Sequence, residues 1–344
     1  MHILKGYTKQ EISWMMYDWA NSAHSVIIVT LLPIFFDTVA GYTADSVSSM
    51  STWGYATSIA MLIVALSAPF LGVFGDIRGM RKKLFRFFML LGVAACAGMA
   101  FTPGMDFTSG PVAAGKVASL ILVLYIVSVI GFDASAIYYD AFLTDVTTED
   151  RMDKVSTMGY GLGYIGGSTI PLLIFLIMNL VGVPMLICLA FVFGLTAVWW
   201  LAFSLPLLKN CEQTSGKPYE KGDVARSIKG VGTTIKEIIA NKPMLIYILS
   251  YFFYIDGVHT VISMATTYGT NLGLDSTGMM LALLLVQILG LPFCLLYIKC
   301  SEKFGARTMV GFGICVYMFI CIFAFFMNSL WQFWVLAVLC ATSQ

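Results

Sequence analysis

The sequence predicts an all-α integral membrane protein, and three observations predict it. Hydrophobic residues make up 59% of the chain and charged residues only 11%, with a mean hydropathy of +0.85; a soluble domain is about half apolar and about a quarter charged. The apolar runs approach ~20 residues, the length that lets a helix cross a hydrocarbon core, and they lack the short alternating segments of a membrane barrel. Lys and Arg collect in every second connection between runs, the pattern that sorts loops to the cytoplasmic side.

Windows of about 20 apolar residues place spans near 12–37, 52–75, 84–103, 117–142, 154–179, 182–207, 244–268, 277–298 and 307–327. A tenth begins near Ser329 and is expected to be truncated, because Gln344 follows after ~16 residues, short of a full span. With the N-terminus inside, the inner segments hold Lys5 and Lys9, then Arg78 to Arg86, Arg151 and Lys154, Lys209 to Lys242, and Lys299 to Arg307; of the 20 basic residues only Lys116 falls outside. A wrong span count would scramble this alternation. Residues 1–12 are polar and the first span is too long for a signal-peptide core, so no cleaved leader is expected.

A net charge of +1 says nothing about nucleic acid, and with no basic domain in the sequence no nucleic-acid partner is expected. The eight cysteines are scattered, mostly inside apolar runs and without a CxxC pair, and read as small buried hydrophobes. Three scattered histidines offer no metal site. No loop holds a nucleophile–base–acid set, so neither an enzyme nor a cofactor is expected.

Residues 208–243 form the only long polar linker, dividing six spans in 1–207 from the incomplete bundle of 244–344. Within it Val224, Ile228, Val231, Ile235 and Ile238 recur at steps of 4, 3, 4 and 3, with Arg226, Lys229 and Lys236 between them. That is the pattern of an amphipathic helix suited to the inner membrane surface.

The two parts repeat each other. The first span carries "YDWANSAHS" and the seventh "YFFYIDGVHTVISMATTYG". Asp18, Asn21, Ser22 and Ser25 stand at i, i+3, i+4 and i+7, and so do Asp256, His259, Thr260 and Ser263. Each set lies on one helix face. After the second span comes "GVFGDIRGMRKK" and after the eighth "SEKFGART"; in each, an acid precedes a glycine by three and basic residues follow. A parallel repeat of this kind is a transporter signature.

The loop with Gly72, Asp76, Gly79, Arg81 and Lys82 resembles the signature loop of the major facilitator superfamily. More narrowly, "YDWANSA", "YYDAFLTDVTTEDRMDKVSTMGYGLGYIGG" and "YFFYIDGVHTVISMATTYG" are similar to its vacuole effluxer-like branch, which includes the autophagy-related amino-acid effluxers of fungal vacuoles and bacterial relatives. The resemblance implies a major facilitator-type two-bundle fold with a solute cavity between the bundles, lined by spans one, four, seven and ten. It also implies that the signature loop is a conformational latch, with Glu302, Gly305 and Arg307 as its second copy, although Glu302 replaces the usual aspartate and Ile298 the usual glycine. The latch's expected neighbour, an eleventh span, is absent from the sequence.

An ionisable residue inside a membrane marks a functional site by default, and acids at depth are the groups able to carry a proton. The candidate pathway therefore comprises Asp18, Asn21, Ser22, Ser25, Asp256, His259, Thr260 and Ser263, with Asp133, Tyr138 and Asp140 on the fourth span. Asp18 is expected ~9 Å and Asp256 ~18 Å from the inner ends of their spans at 1.5 Å per residue. Each acid alternatively bridges to a neighbouring helix; for Asp140 the alternative is a pair with Arg151 or Lys154, and for Tyr138 and Tyr139 a place in the interfacial belt. His24 lies off the Asp18 face and reads as packed. "GYGLGYIGG" contains a formal GxGxxG at Gly161, Gly163 and Gly166, but with no strand beside it it reads as close helix packing.

The function expected is secondary transport of a small solute by alternating access, in a multi-pass membrane protein with a cytoplasmic N-terminus: in the cytoplasmic membrane of a bacterium or the vacuolar membrane of a fungus. By resemblance the solute is an amino acid or similar metabolite and is exported; the acids at depth, Asp256, Asp133 and Asp18, are the ground for expecting proton coupling. The partners are the bilayer, the solute and protons, and no nucleic acid. A truncated, non-transporting membrane protein and a lipid flippase stand as the alternatives.

Overall fold

A computed structural model describes residues 4, 6–43, 46–216, 218 and 223–343, without the side chains of 46–48, 223–229, 234, 298, 302 and 306. Of the residues singled out above, Lys5, Lys217 and Lys221 lie outside the described residues, as do the side chains of Val224, Arg226, Ile228, Lys229, Ile298 and Glu302.

The described chain is helical from end to end. Its helices are α1 (Lys9–Ala40), α2 (Ser46–Gly75), α3 (Arg81–Met99), α4 (Pro111–Val146), α5 (Met152–Gly163), α6 (Ile170–Leu180), α7 (Met185–Asn210), α8 (Asp223–Ala240), α9 (Lys242–Asn271), α10 (Ser276–Phe304), α11 (Ala306–Phe325) and α12 (Leu330–Ser343). Among the described residues, nine helical segments are long and apolar enough to cross a membrane; α5 and α6 form one of them, and α12 is shorter. A π-helical turn, Tyr164–Thr169, joins α5 to α6. Pro171 follows it and cannot donate a backbone bond, while Thr169 Oγ1 donates to Tyr164 O at 2.7 Å.

The first helix starts earlier than its apolar run predicts. Thr8 and Glu11 form a capping box: Glu11 N donates to Thr8 Oγ1 at 3.1 Å and Thr8 N to Glu11 Oε2 at 2.7 Å. Such a box satisfies two backbone donors that a helix start leaves open. Asp18 is thus nine residues into α1, ~14 Å from its start at 1.5 Å per residue, rather than ~9 Å.

One apolar core joins α1–α7, with Trp14, Tyr17, Ile27, Phe35, Phe85, Phe142 and Trp200 fully or almost fully buried; Met280 and Leu284 of α10 reach into it. A second core is built from Met279, Tyr317, Ile320 and Phe333 of α10–α12. The parts touch where α9 meets α1 and where α10 meets α5 and the π turn. The linker helix α8 rests against α2 and α9. Ile235 and Ile239 are exposed on it and Ile238 is half-buried. The face of the bundle holding the starts of α1, α3, α5, α9 and α11 carries the basic residues and is called the basic face below.

Where α3 crosses α4, Gly92 and Gly131 replace side-chain contact by backbone contact. A Cβ on Gly131 would lie 2.5 Å from Gly92 N, 2.6 Å from Gly92 Cα and 2.8 Å from Phe88 O. Backbone cannot step aside, so overpacking here is expected to cost about 1–3 kcal/mol. Gly131→Ala should lower the thermal unfolding midpoint of the purified chain. Gly54→Ala, at a helix position with nothing within 4 Å, should leave it unchanged or slightly raised.

Candidate functional site

The polar stripe of α1 faces the glycine-rich run of α5. A Cβ on Gly159 would sit 2.6 Å from Asp18 Oδ2, and one on Gly163 2.5 Å from Ser22 Oγ; Gly166 lies under the Trp19 ring and Gly167 against Trp19 O. Glycines at four-residue spacing thus open a groove that receives Asp18, Trp19 and Ser22, the small-residue packing that membrane helices use. Tyr139 Oη donates to Asp18 Oδ2 at 2.7 Å. The Tyr139 ring stacks on Trp14 with centroids 4.3 Å apart, and Trp14 Nε1 donates to Tyr139 O at 2.9 Å. Asp18 and Ser22 are therefore seated, half-buried, against α5 within the first bundle. Asn21 is buried on α1.

The equivalent residues of α9 stand differently. Asp256, His259 and Thr260 are exposed and Ser263 is half-buried. Neither Asp256 nor His259 has a hydrogen bond or ion pair among the described residues, and Ser263 Oγ makes only a long contact to Thr260 O, 3.5 Å. One residue of each stripe, Ser25 and Thr260, lines a cavity of about 460 Å³ between α1, α9, α10, α11 and α12. Its other polar residues among those described are Thr30, Thr266, Tyr268 and Gln287, and the rest of the wall is almost wholly apolar. A lone amide inside "ALLLVQILGL" was the sequence signal for Gln287. Nearer the opposite face, a smaller cleft of about 130 Å³ brings Asp37, Met50 and Trp53 together with Thr267, Thr270 and Asn271.

On α4, Asp133 is half-buried, and its Oδ2 is enclosed with no hydrogen-bond partner among the described residues. Tyr138 is fully buried and donates to Leu71 O at 3.0 Å, which fastens α4 to α2. Tyr139 is likewise inside the bundle. Asp140 is exposed and is not the partner of Arg151. That partner is Glu11, which accepts from Arg151 Nε and Nη2 at 2.9 Å each and from Thr147 Oγ1 at 2.7 Å. The Thr8–Glu11 spacing was the only sequence trace of this pair. His24 packs as expected, stacked on Phe132 with Nε2 3.2 Å from Ser128 Oγ.

At the basic face the signature loop finds its partners inside the first bundle. Arg81 Nη1 pairs with Asp145 Oδ2 and donates to Ala141 O at 2.9 Å and to Ser215 Oγ at 3.2 Å. Asp76 Oδ1 is 3.8 Å from Arg81 Nη2. Asp145 Oδ1 accepts from the backbone N and side-chain hydroxyl of both Thr214 and Ser215, at 2.7–3.0 Å. Gln213 closes the cluster: its Oε1 accepts from Gly79 N at 2.8 Å and its Nε2 donates to Gly75 O at 3.0 Å. Gly79 turns the loop at φ 80°, while Gly72 has nothing within 4 Å of a Cβ and makes no close approach. Lys82 is half-buried without a described ion pair. In the second copy, Gly305 ends α10 at φ 82°, Arg307 is exposed and unpaired among the described residues, and the Glu302 side chain is outside them. Asp145 and the segment Gln213–Ser215 carry no periodicity that marks them in the sequence.

The side chains of Arg81 and Asp145 are 5% and 0% exposed, so removing one strands the other. Arg81→Ala should destabilise the purified chain by about 3–5 kcal/mol. Arg81→Ala with Asp145→Asn should cost less than the sum of the single changes in a double-mutant cycle, read from unfolding midpoints.

A family model described as "Vacuole effluxer Atg22 like" matches residues 41–151 and 144–343. The chain is 40% identical over 350 residues to an uncharacterized MFS-type transporter, YxiO, of Bacillus subtilis (strain 168), covering 99% of this chain and 79% of that protein. It is 24% identical over 177 residues to autophagy-related protein 22-1 of Penicillium rubens, covering 48% and 30%. Among solved structures, the D-xylose–proton symporter superposes with a TM-score of 0.62 at 16% identity, covering 97% of this chain and 80% of that one. A bacterial homolog of the human lysosomal transporter Spinster does so with a TM-score of 0.60 at 14% identity, covering 97% and 72%. Two linked helical bundles with a cavity between them match the fold of these transporters, and the chain belongs to the vacuole effluxer Atg22-like family of major facilitator (MFS-type) transporters.

Proposed function

We propose that this chain moves a small solute across a membrane by alternating access, as a secondary transporter whose two bundles rock about the cavity between α1 and α9–α12. The observation that carries this reading is the cavity itself, with one wall from each bundle. The bundles touch where α1 meets α9 and where α10 meets α5 and the π turn, an arrangement in which one can turn against the other. The basic face is assigned to the cytoplasm by the excess of Lys and Arg, which puts the N-terminus inside. The effluxer branch supports outward movement of an amino acid or similar metabolite.

Asp133 is assigned the proton. Its Oδ2 is the enclosed carboxylate oxygen without a partner among the described residues, whereas Asp18 is already bonded by Tyr139 and seated against Gly159. Asp256 is exposed. An unpaired acid within a span is retained where its charge state matters.

The full chain in proteoliposomes should take up radiolabelled neutral amino acids, and an imposed pH gradient should speed that uptake. Asp133→Asn should abolish the response to the gradient while leaving solute exchange at equal pH intact. Uptake indifferent to the gradient, with Asp133→Asn unchanged, ends the coupling assignment; absence of flux for every solute offered ends the transporter reading.

A further inference from the structure

The cavity between the bundles holds a polar group that the described protein leaves unanswered. Gln287 is 8% exposed, lines the cavity of about 460 Å³, and has its Oε1 buried without a hydrogen-bond partner among the described residues. A buried acceptor is costly to leave unmade, most of all in a chain surrounded by hydrocarbon, where no bulk water substitutes. The opening is within the ~300–1,000 Å³ range of small-molecule sites.

The remaining wall limits what can enter. Among the described residues no Asp, Glu, Lys, Arg or His lines it; its other polar groups are the hydroxyls of Ser25, Thr30, Thr260 and Thr266, together with the Tyr268 phenol. The Ser25 hydroxyl already donates to Ser22 O at 3.0 Å, which leaves it to act as an acceptor. A charged group placed here loses its hydration with no counter-charge to replace it, whereas an apolar group loses nothing.

We infer that this cavity receives an uncharged, mainly apolar part of the solute that carries an N–H or O–H donor, and that Gln287 Oε1 accepts from that donor. Gln287 is then the residue that separates donor-bearing solutes from plain hydrocarbon ones, because a site built to hydrogen-bond rejects a ligand that leaves its buried group unpaired. The inference rests on the transporter reading above for its biological meaning, but its test reads occupancy and needs no flux.

Cys340 lines the same cavity and is half-buried, which supplies a reporter. In the full chain with Cys340 as the sole cysteine, labelling by N-ethylmaleimide is timed in the presence of three probes with one apolar body. These are neutral N-acetyl-L-leucinamide, anionic N-acetyl-L-leucine and cationic L-leucinamide. The neutral probe should slow labelling, and the charged ones should not at equal concentration. Gln287→Leu should weaken protection by the neutral probe about fivefold, the effect of one hydrogen bond, with Gln287→Asn between the two. Unfolding midpoints establish that each variant is folded, and Thr260→Val tests the same wall if Gln287→Leu is not. Equal or better protection by a charged probe, no protection by any probe, or full protection in folded Gln287→Leu overturns the inference. A chain that fails every flux assay yet shows the expected protection would separate the two readings.

Discussion

A polar group inside a bilayer has to be answered from within the protein, and α1 is the helix on which this structure meets that constraint. Its membrane window is 72% buried, against 0% for α9, so it is the axis of the first bundle. Polar groups along it, side-chain and backbone, are met by three neighbouring helices. Tyr17 reaches Ser135 at 2.8 Å on α4, Trp19 O receives Trp199 Nε1 at 2.9 Å from α7, and Asp18 sits against α5. The glycines of α5 are the other half of this arrangement, since any side chain at Gly159, Gly163 or Gly167 would occupy the space that Asp18, Trp19 and Ser22 fill. An acid that looks expensive in a linear sequence is made tolerable by a groove 140 residues further along.

The same rule governs the ends of the helices at the basic face. Glu11 and Arg151 tie the start of α1 to the α4–α5 turn, and Arg81 and Asp145 tie the α2–α3 loop to the end of α4. The strip Gln213–Ser215 then satisfies what remains of Asp145 and of the loop backbone. This strip leads directly into the connection between the bundles. Among the described residues, the side-chain partners of the loop come from the first bundle and from this strip.

Much of this was legible in the sequence. Length and hydropathy gave the spans, and the alternation of Lys and Arg gave their order. The glycine run of the fifth span read correctly as packing because nothing around it suited a nucleotide. The facing of the stripes was not legible. Polar residues at i, i+3, i+4 and i+7 share a face, but spacing is silent on what that face meets. On α1 the same face that offered Asp18 to a pathway offered it to Gly159, and the distant partner decided between them. The partner of Tyr138 was not legible for the same reason, since its acceptor is the backbone carbonyl of Leu71, which no residue identity announces. Asp145 and Gln213 sit in segments without periodicity, where no pattern distinguishes a ligand of Arg81 from a solvated polar residue. Gln287 had a signal, a single amide within an apolar run, and it passed unnoticed beside the more conspicuous acids.

The repeat between the bundles relates sequence more closely than it relates surroundings. Asp18 and Asp256 match in spacing, yet one is half-buried against α5 and the other exposed, which leaves the shared cavity, rather than the paired acids, as the feature that joins the bundles. Whether the bundles move about that cavity is the central claim. It is tested most directly by spin-label distances between α1 and α9 at both faces, with labels at Thr38 and Asn271 for one face and at Gln10 and Met244 for the other. Alternating access predicts two populations at each pair, shifting in opposite senses when solute or pH is changed: one face lengthens as the other shortens. A single distribution at both pairs, unmoved by either, would contradict the account.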